Sequence, residues 1–238
     1  MALPKIQYPT FEVKVPILDK SITMRPMLVK EEKILLMAKQ SGEREDQMNA
    51  IKQIVNNCLV DESQGFDLNT FPFVALEYMF IKLRAMSINN VVEVQYRLSD
   101  DETADYKIDL DKVEIRNLDK LDDAPLKINN DIAIKLRYPT VGTYTNAEFF
   151  KLDQKDLLDY ILTDSIAMIY DKETVHDVSM VGKAEITEFV NSIPAKAYQD
   201  IQKFFDAAPS LYYKLTIGEG ETEQDIELTT IDDFFTFV

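Results

Sequence analysis

The sequence predicts an α+β fold: an N-terminal β-hairpin with three helices, a central antiparallel sheet, and C-terminal helices with a closing β-hairpin. Stretches in which apolar and polar residues alternate, as in strands, are separated along the chain from stretches with apolar residues three and four positions apart, as in helices. The chain also has no internal repeat. We place one boundary after residue 140, which gives an N-terminal α+β domain over 1–140 and a C-terminal helical domain with the terminal hairpin over 141–238.

The first 90 residues are predicted to form the hairpin and three helices. Strict alternation over 11–15 and 21–25, with a short polar link between them, predicts two paired strands. Helical spacing then predicts helices over 29–40, over 44–59 and from Pro72 onwards. The third helix is apolar nearly all round and should be the most buried.

Four charges, Lys30, Glu31, Glu32 and Lys33, fill the first turn of the first predicted helix. Acids are favoured there by the helix dipole, and we expect the turn to face water. The two glutamates are sequence neighbours, about 100° apart on a helix, so they do not converge on a substrate. The residues expected to enter the core from this helix are Ile34, Leu35, Met37 and Ala38.

After residue 90 the spacing of apolar residues changes from helical to alternating, and beyond residue 142 helical spacing returns. Strands are predicted over 91–96, 106–110, 113–115, 132–138, 211–217 and 225–228. Helical faces are predicted over 157–169, 186–193 and 197–205. Thr230, with Asp233 three positions later, has the form of a helix N-cap.

Charge and apolar content restrict the environment and the partners. The net charge of −16 repels phosphate groups, so we expect neither nucleic acid nor an anionic membrane as a partner. No segment approaches the roughly 18 uncharged apolar residues of a membrane span, and the N-terminus lacks the pattern of a secretory signal. The single cysteine, Cys58, falls in the apolar pattern of the second helix and should be buried and free, which fits a reducing cytoplasm.

Motifs of catalysis and cofactor binding are absent from the sequence. The six glycines form neither GxGxxG nor GxxxxGK[ST], which disfavours a phosphate-binding loop. The only histidine, His176, lies in an alternating stretch that points it to solvent, and no nucleophile signature accompanies it. One histidine and one cysteine also leave structural zinc without a ligand pattern. We therefore expect no catalytic residue, no cofactor and no metal.

Two other classes stay open at this point. A hydrolase that uses two carboxylates has no motif by which sequence alone reveals it. An acidic inhibitor of a host protein, which mimics nucleic acid by its negative charge, is a second alternative.

One set of motifs is distinctive. The segment MALPKIQYPTFEVKVP, the stretch MRPMLVKEEKILLMAKQS at 24–41 and the helix end NNCL resemble the baseplate hub family of T-even-type contractile-tailed bacteriophages. Members of this family begin with a similar hairpin and an RPFLVKEEK-like helix start. The likeness continues through 73–87 and 135–140, and weakly into 204–205 and 233–235. It covers most of the chain, while the first 90 residues carry the distinctive motifs.

The resemblance implies a non-enzymatic tail protein, either a component of the baseplate hub or a chaperone for the hub and the tape-measure protein. It implies other hub or tape-measure proteins as partners and leaves a homo-oligomer open. The expected location is the host cytoplasm during assembly and, for a permanent subunit, the baseplate of the virion tail. Relatives often carry paired cysteines where this sequence has residues 98–101 and 217–220 without cysteine, so the resemblance transfers no metal.

Two surfaces are predicted to contact partners. The basic residues Lys30, Lys33 and Lys39, in the basic-leaning first 40 residues, suit an acidic partner. The aromatic C-terminal end either packs back on the C-terminal helices or docks into a partner, because buried aromatic residues usually contribute to a core. Its residues are Phe234, Phe235, Phe237 and Val238.

Overall fold

A computed structural model describes residues 4, 6–60, 63, 65–99, 102–120, 124–218, 220 and 223–235. In chain order, the strands are β1 (Phe11–Val15), β2 (Lys20–Met24), β3 (Val91–Ser99), β4 (Glu102–Asp109), β5 (Glu114–Arg116), β6 (Leu126–Lys127), β7 (Ala133–Leu136), β8 (Ile166–Tyr170), β9 (Val175–Asp177), β10 (Ser210–Ile217) and β11 (Gln224–Leu228). The helices are α1 (Val29–Ser41), α2 (Arg44–Cys58), α3 (Phe73–Ser87), α4 (Val141–Tyr144), α5 (Gln154–Ser165), α6 (Lys183–Asn191), α7 (Ala195–Asp206) and α8 (Ile231–Phe234).

The chain forms two compact units. Unit 1 comprises residues 1–116 and 210–238, and unit 2 comprises residues 117–209. This division differs from the boundary that the sequence suggested after residue 140. The reason is that β10 pairs with β5, with Ser210 opposite Arg116, and so returns the end of the chain to unit 1. Pairing between segments so far apart leaves no local pattern in a sequence.

The N-terminal part of unit 1 has the predicted hairpin and three helices. Strands β1 and β2 are antiparallel, with Phe11 opposite Met24, and Asp19 turns the chain in the left-handed conformation at φ 46°. Helix α1 ends at Gly42, whose φ of 71° is a conformation that glycine adopts without steric cost. Helix α3 buries side chains on most of its sides, as its composition predicted.

Two further antiparallel groups complete unit 1. Strands β3 and β4 form a hairpin, and β10 lies between β11 and β5 in a three-stranded sheet. Helix α8 begins at the predicted N-cap: the carboxylate of Asp233 accepts hydrogen bonds from the backbone N–H groups of Thr229 and Thr230, both at 2.8 Å. Cys58 is fully buried and free, as predicted.

The core of unit 1 draws on the hairpin, α2, α3 and the segment that ends in α8. Burial of this apolar surface is the main favourable term for the fold of the unit. Its largest fully buried side chains include Ile22, Met24, Ile51, Ile54, Leu76, Met79, Phe80, Ile81, Leu83, Ile108, Leu110 and Phe234.

Unit 2 is built on an antiparallel sheet in the order β6-β7-β8-β9. Helices α5, α6 and α7 contribute to a separate core. The buried residues of this core are Ile134, Leu162, Ile166, Val178, Ile186, Val190 and Ile201.

The prediction of a helical face over 157–169 is wrong beyond Ser165. Helix α5 ends there, and the next five residues form β8, in which Ile169 lies opposite Ile134 of β7. β-Branched and aromatic side chains in this run favour a sheet once a partner strand is present. A short apolar run has no period that separates a strand from a buried helix, so the switch was not visible in the sequence.

The architecture as a whole is the predicted mixture of helix and sheet, with the N-terminal hairpin, the helices, the central sheets and the C-terminal hairpin in the expected order. Among the described residues, none of the helices has both the length and the apolar character required to cross a bilayer.

Candidate interaction site

A buried ion pair between Arg25 and Glu31 fixes the start of α1. Arg25 Nη2 lies 2.9 Å from Glu31 Oε1, and Glu31 has no exposed surface. Glu31 Oε2 also accepts a hydrogen bond from the N–H of Leu28 at 3.0 Å, which satisfies a donor at the helix N-terminus. The guanidinium of Arg25 donates further to the carbonyls of Pro26 at 2.9 Å and Asn57 at 2.8 Å. The pair therefore joins the end of the hairpin to both α1 and α2.

Both members of the pair are charged. Burial alone would raise the pKa of Glu31, but hydrogen bonds from Arg25 and Leu28 outweigh it and hold that pKa below its ordinary value. Burial alone would lower the pKa of Arg25, and the bond to Glu31 raises it instead. An ionised acid with all these donors is a structural group and not a proton donor.

The expectation that the charged first turn of α1 faces water is wrong for Glu31. Lys30 and Lys33 are exposed, but Glu31 is buried because Arg25, outside the helix, neutralises it. The prediction that Met37 enters the core is also wrong, since 70% of its surface is exposed. Ala38 is buried as predicted, so the covered side of α1 includes Ala38 and leaves Met37 in solvent.

A groove of about 270 Å³ lies in unit 1 beside α1. We call it the unit 1 groove. Elements α1, α3, β3 and α8 meet there, together with the residue that follows α8. Its lining residues are Glu32, Leu35, Leu36, Lys39, Phe80, Arg84, Val92, Phe234 and Phe235.

The unit 1 groove brings together parts of the two surfaces that the sequence suggested separately. Lys39 and Phe235 both line it. Lys30 and Lys33 are exposed on the same helix but are not part of the lining. Phe237 and Val238 lie outside the described residues.

The two described aromatic residues of the C-terminal end differ in burial. Phe234 is fully buried and packs edge to face with Tyr213, their ring centroids 6.3 Å apart. Phe235 is half-buried and packs edge to face with Phe80 at 5.6 Å. Phe234 therefore belongs to the core of unit 1, and both Phe234 and Phe235 line the groove.

Arg84 lines the unit 1 groove and is half-buried. Its Nη1 atom is fully buried and has no hydrogen-bond partner among the described residues. A buried guanidinium N–H without an acceptor is costly. Leu36, which is 56% exposed, offers apolar surface at the same place. Sequence reasoning missed Arg84, because nothing in the pattern of α3 distinguishes it from a solvated arginine.

Glu77 anchors α8 to α3 from within the core of unit 1. Its Oε1 accepts a hydrogen bond from the N–H of Ile231 at 3.2 Å. Burial raises the pKa of Glu77 to about 8, and the nearby carboxylates of Asp232 and Asp233 act in the same direction, while Arg44 opposes them. The side chain is consequently a mostly neutral acid at pH 7.

The two residues considered as zinc ligands belong to different units, Cys58 to unit 1 and His176 to unit 2. His176 is exposed on β9, with its Nε2 2.9 Å from Asp171 Oδ2, and this hydrogen bond lowers the pKa of Asp171 to about 2. Within the part of the chain that the structure describes, no three His, Cys, Asp or Glu side chains are grouped to hold a metal ion.

Comparison with models of protein families places most of the chain in one family. Residues 8–236 match a family model described as T4 bacteriophage base plate protein. No curated protein and no solved structure matches. The matched range includes nearly all of both units.

Proposed function

The chain belongs to the family of T4 bacteriophage base plate proteins, and from this premise we propose that it is a non-enzymatic component of the baseplate hub. An assembly chaperone for the hub and the tape-measure protein is the other form of the same proposal. Support for the hub comes from the resemblance of MRPMLVKEEK, residues 24–33, to the helix start of hub proteins. The structure adds a physical reason for this motif, since its arginine and first glutamate form the buried pair that fixes α1.

The observation that carries a role through protein contacts is the unit 1 groove. Its lining has two cations, Lys39 and Arg84, and one acid, Glu32, and Leu36 makes part of it apolar and exposed. A segment of another hub or tape-measure protein with an acidic side chain next to an apolar one would pair with the exposed Lys39 and cover Leu36.

Genetics and particle composition test the proposal at the level of the virion. Deletion of the gene should leave filled heads without complete tails, and normal virions from the deletion would refute a role in tail assembly. Mass spectrometry of purified particles then separates the two forms of the proposal, because only a permanent subunit stays in the particle in stoichiometric amount.

Charge reversal tests whether the unit 1 groove contacts a partner protein. Lys39→Glu should weaken co-purification with hub and tape-measure proteins by about tenfold, because a like charge then faces the partner. Lys14→Glu is the matched control, since this lysine of unit 1 is exposed, lies outside the lining of the groove, and gives the same change of net charge. Equal binding by the two variants, with unchanged melting temperatures, would contradict a role of the unit 1 groove in partner binding.

A further inference from the structure

Unit 2 contains a larger groove, of about 680 Å³. We call it the acidic groove. Helices α5 and α6, strand β8 and the turn after β9 form most of its walls. Its apolar lining residues are Leu152, Tyr160, Ile166, Ala167, Met168, Val178, Val181 and Ile186.

Carboxylates outnumber cations along the acidic groove. Both lining cations already have an acidic neighbour in the lining: Lys183 Nζ is 3.1 Å from Glu148, and Arg137 Nη2 is 4.0 Å from Asp164. The further acids of the lining are Asp156, Asp159 and Asp177. The groove therefore has an excess of negative charge.

Asp156 and Asp159 have no ion-pair partner among the described residues, while Asp177 is stabilised by the nearby charge of Arg137. No lysine or arginine of the described residues forms an ion pair with Asp156, Asp159 or Asp177. Asp156 and Asp159 are exposed one helical turn apart on α5. Asp177 accepts a hydrogen bond from the N–H of Ser179 at 2.9 Å, and hydrogen bonds from Ser179 hold the pKa of Asp177 below its ordinary value. The negative charges of Asp156 and Asp159 are therefore available to a ligand.

We infer that the acidic groove binds a basic peptide segment of a partner polypeptide, with apolar side chains on the groove floor and lysine or arginine opposite Asp156 and Asp159. Charge complementarity selects this occupant, because an apolar floor with unpaired carboxylates attracts a cationic amphipathic segment. The same charge repels nucleic acid and anionic lipid. The inference does not rest on the proposed function, and it names a surface of opposite charge to the unit 1 groove.

A fluorescent reporter can be placed in the acidic groove of the full-length protein. The sequence has no tryptophan, so Thr187→Trp, at an exposed lining position on α6, introduces the sole indole. The probe is a short synthetic peptide of leucine and lysine in helical spacing. Saturable binding should shift the emission of this tryptophan to shorter wavelength, because the peptide removes water from the groove. Gln202→Trp, exposed on α7 and outside the lining, is the control reporter and should not shift.

A charge-reversal pair tests the acids themselves. In the Thr187→Trp background, Asp156→Lys/Asp159→Lys should raise the Kd for the peptide about tenfold or more. Glu188→Lys/Asp206→Lys is the matched control, because both acids are exposed in unit 2, lie outside the lining, and give the same change of net charge. It should change the Kd by no more than about threefold, since long-range attraction between exposed charges is screened.

Four results would overturn the inference. One is an unchanged emission of the Thr187→Trp variant during the titration, and another is equal weakening by the two charge-reversal pairs, which would indicate attraction to net charge alone. Equal binding of a peptide in which serine replaces leucine would show that the apolar floor is not used. An equal emission shift with millimolar magnesium chloride alone would identify the ligand as a small cation. None of these results bears on whether the protein is present in virions, so the test stands apart from that of the proposed function.

Discussion

Arg25 and Glu31 depend on each other because each is largely removed from water. We expect Glu31→Ala to lower the free energy of unfolding by about 3 kcal/mol or more, because it leaves the Arg25 guanidinium without its carboxylate. Glu32→Ala, the neighbouring half-exposed glutamate, is the control and should cost about 0.5 kcal/mol or less. Urea unfolding at pH 7 measures both. Equal costs for the two variants would contradict the structural role of the pair.

The same pair gives unit 1 a dependence on acid. The folded-state pKa of Glu31 lies below its ordinary value of 4.5, so its contribution is present above pH 4.5 and is lost as the pH falls through the folded-state value. The difference in unfolding free energy between the wild type and Glu31→Gln should therefore shrink as the pH is lowered from 6 to about 3. A constant difference over this range would count against an ionised Glu31.

Glu77 produces a dependence of the opposite sign. Its pKa is raised to about 8 in the folded state, so the folded protein retains a proton that the unfolded chain releases above pH 4.5. Stability from this group is present below pH 4.5 and is lost as the pH rises through about 8. Glu77→Gln keeps an oxygen for the N–H of Ile231 and should stabilise the protein at pH 8 by about 1–3 kcal/mol relative to pH 5. Urea unfolding at the two pH values measures this difference, with Glu93→Gln at an exposed position as the control. An equal change in unfolding free energy at pH 5 and pH 8 would exclude a protonated Glu77.

At the scale of an element, α8 shows how a very short helix can be essential. Phe234→Ala should lower the free energy of unfolding by about 3–5 kcal/mol, because it empties a fully buried position between α3 and β10. Phe235→Ala should cost clearly less, since its side chain is only half-buried. Truncation after Thr230 removes both residues and Ile231, and it should abolish cooperative unfolding of unit 1. A truncated chain that melts like the full chain, yet no longer binds partners, would instead show that this end is a docking segment.

Elements with local signals were the ones that the sequence predicted well. The turn at Asp19, the end of α1 at Gly42 and the N-cap at Thr230 each depend on residues within a few positions. Strand β8 depends on its pairing with β7, about thirty positions earlier, and with β9, and these pairings are not visible in the local pattern of α5. In the same way, the pattern of α1 identified Lys39 as a surface residue, while the unsatisfied Arg84 beside it required the tertiary structure.

At the scale of the whole molecule, unit 2 is an insertion into unit 1. The chain leaves unit 1 after Arg116 and returns at Ser210, and these two residues are cross-strand partners. Joining them through a short Asn-Gly turn in place of residues 117–209 should therefore leave unit 1 folded, with one cooperative urea transition and strand signal in circular dichroism. A larger deletion that joins Ser87 to Ser210 is the control. It also removes β3, β4 and β5 of unit 1, so this variant should not fold. Loss of cooperativity in the first variant would show that unit 1 requires unit 2.

The partnership of Arg116 and Ser210 also sets an order of events on the ribosome. Residues 117–209 are synthesised between the two parts of unit 1, so the first part has β5 without its partner strand and a core without Phe234 for as long as that takes. At bacterial translation rates this interval is on the order of ten seconds, long compared with helix formation. During it, the nascent chain presents an open strand edge and apolar helix faces to other nascent chains and to host chaperones. A ribosome that stops before Phe234 would release a polypeptide with a complete unit 2 and an incomplete unit 1.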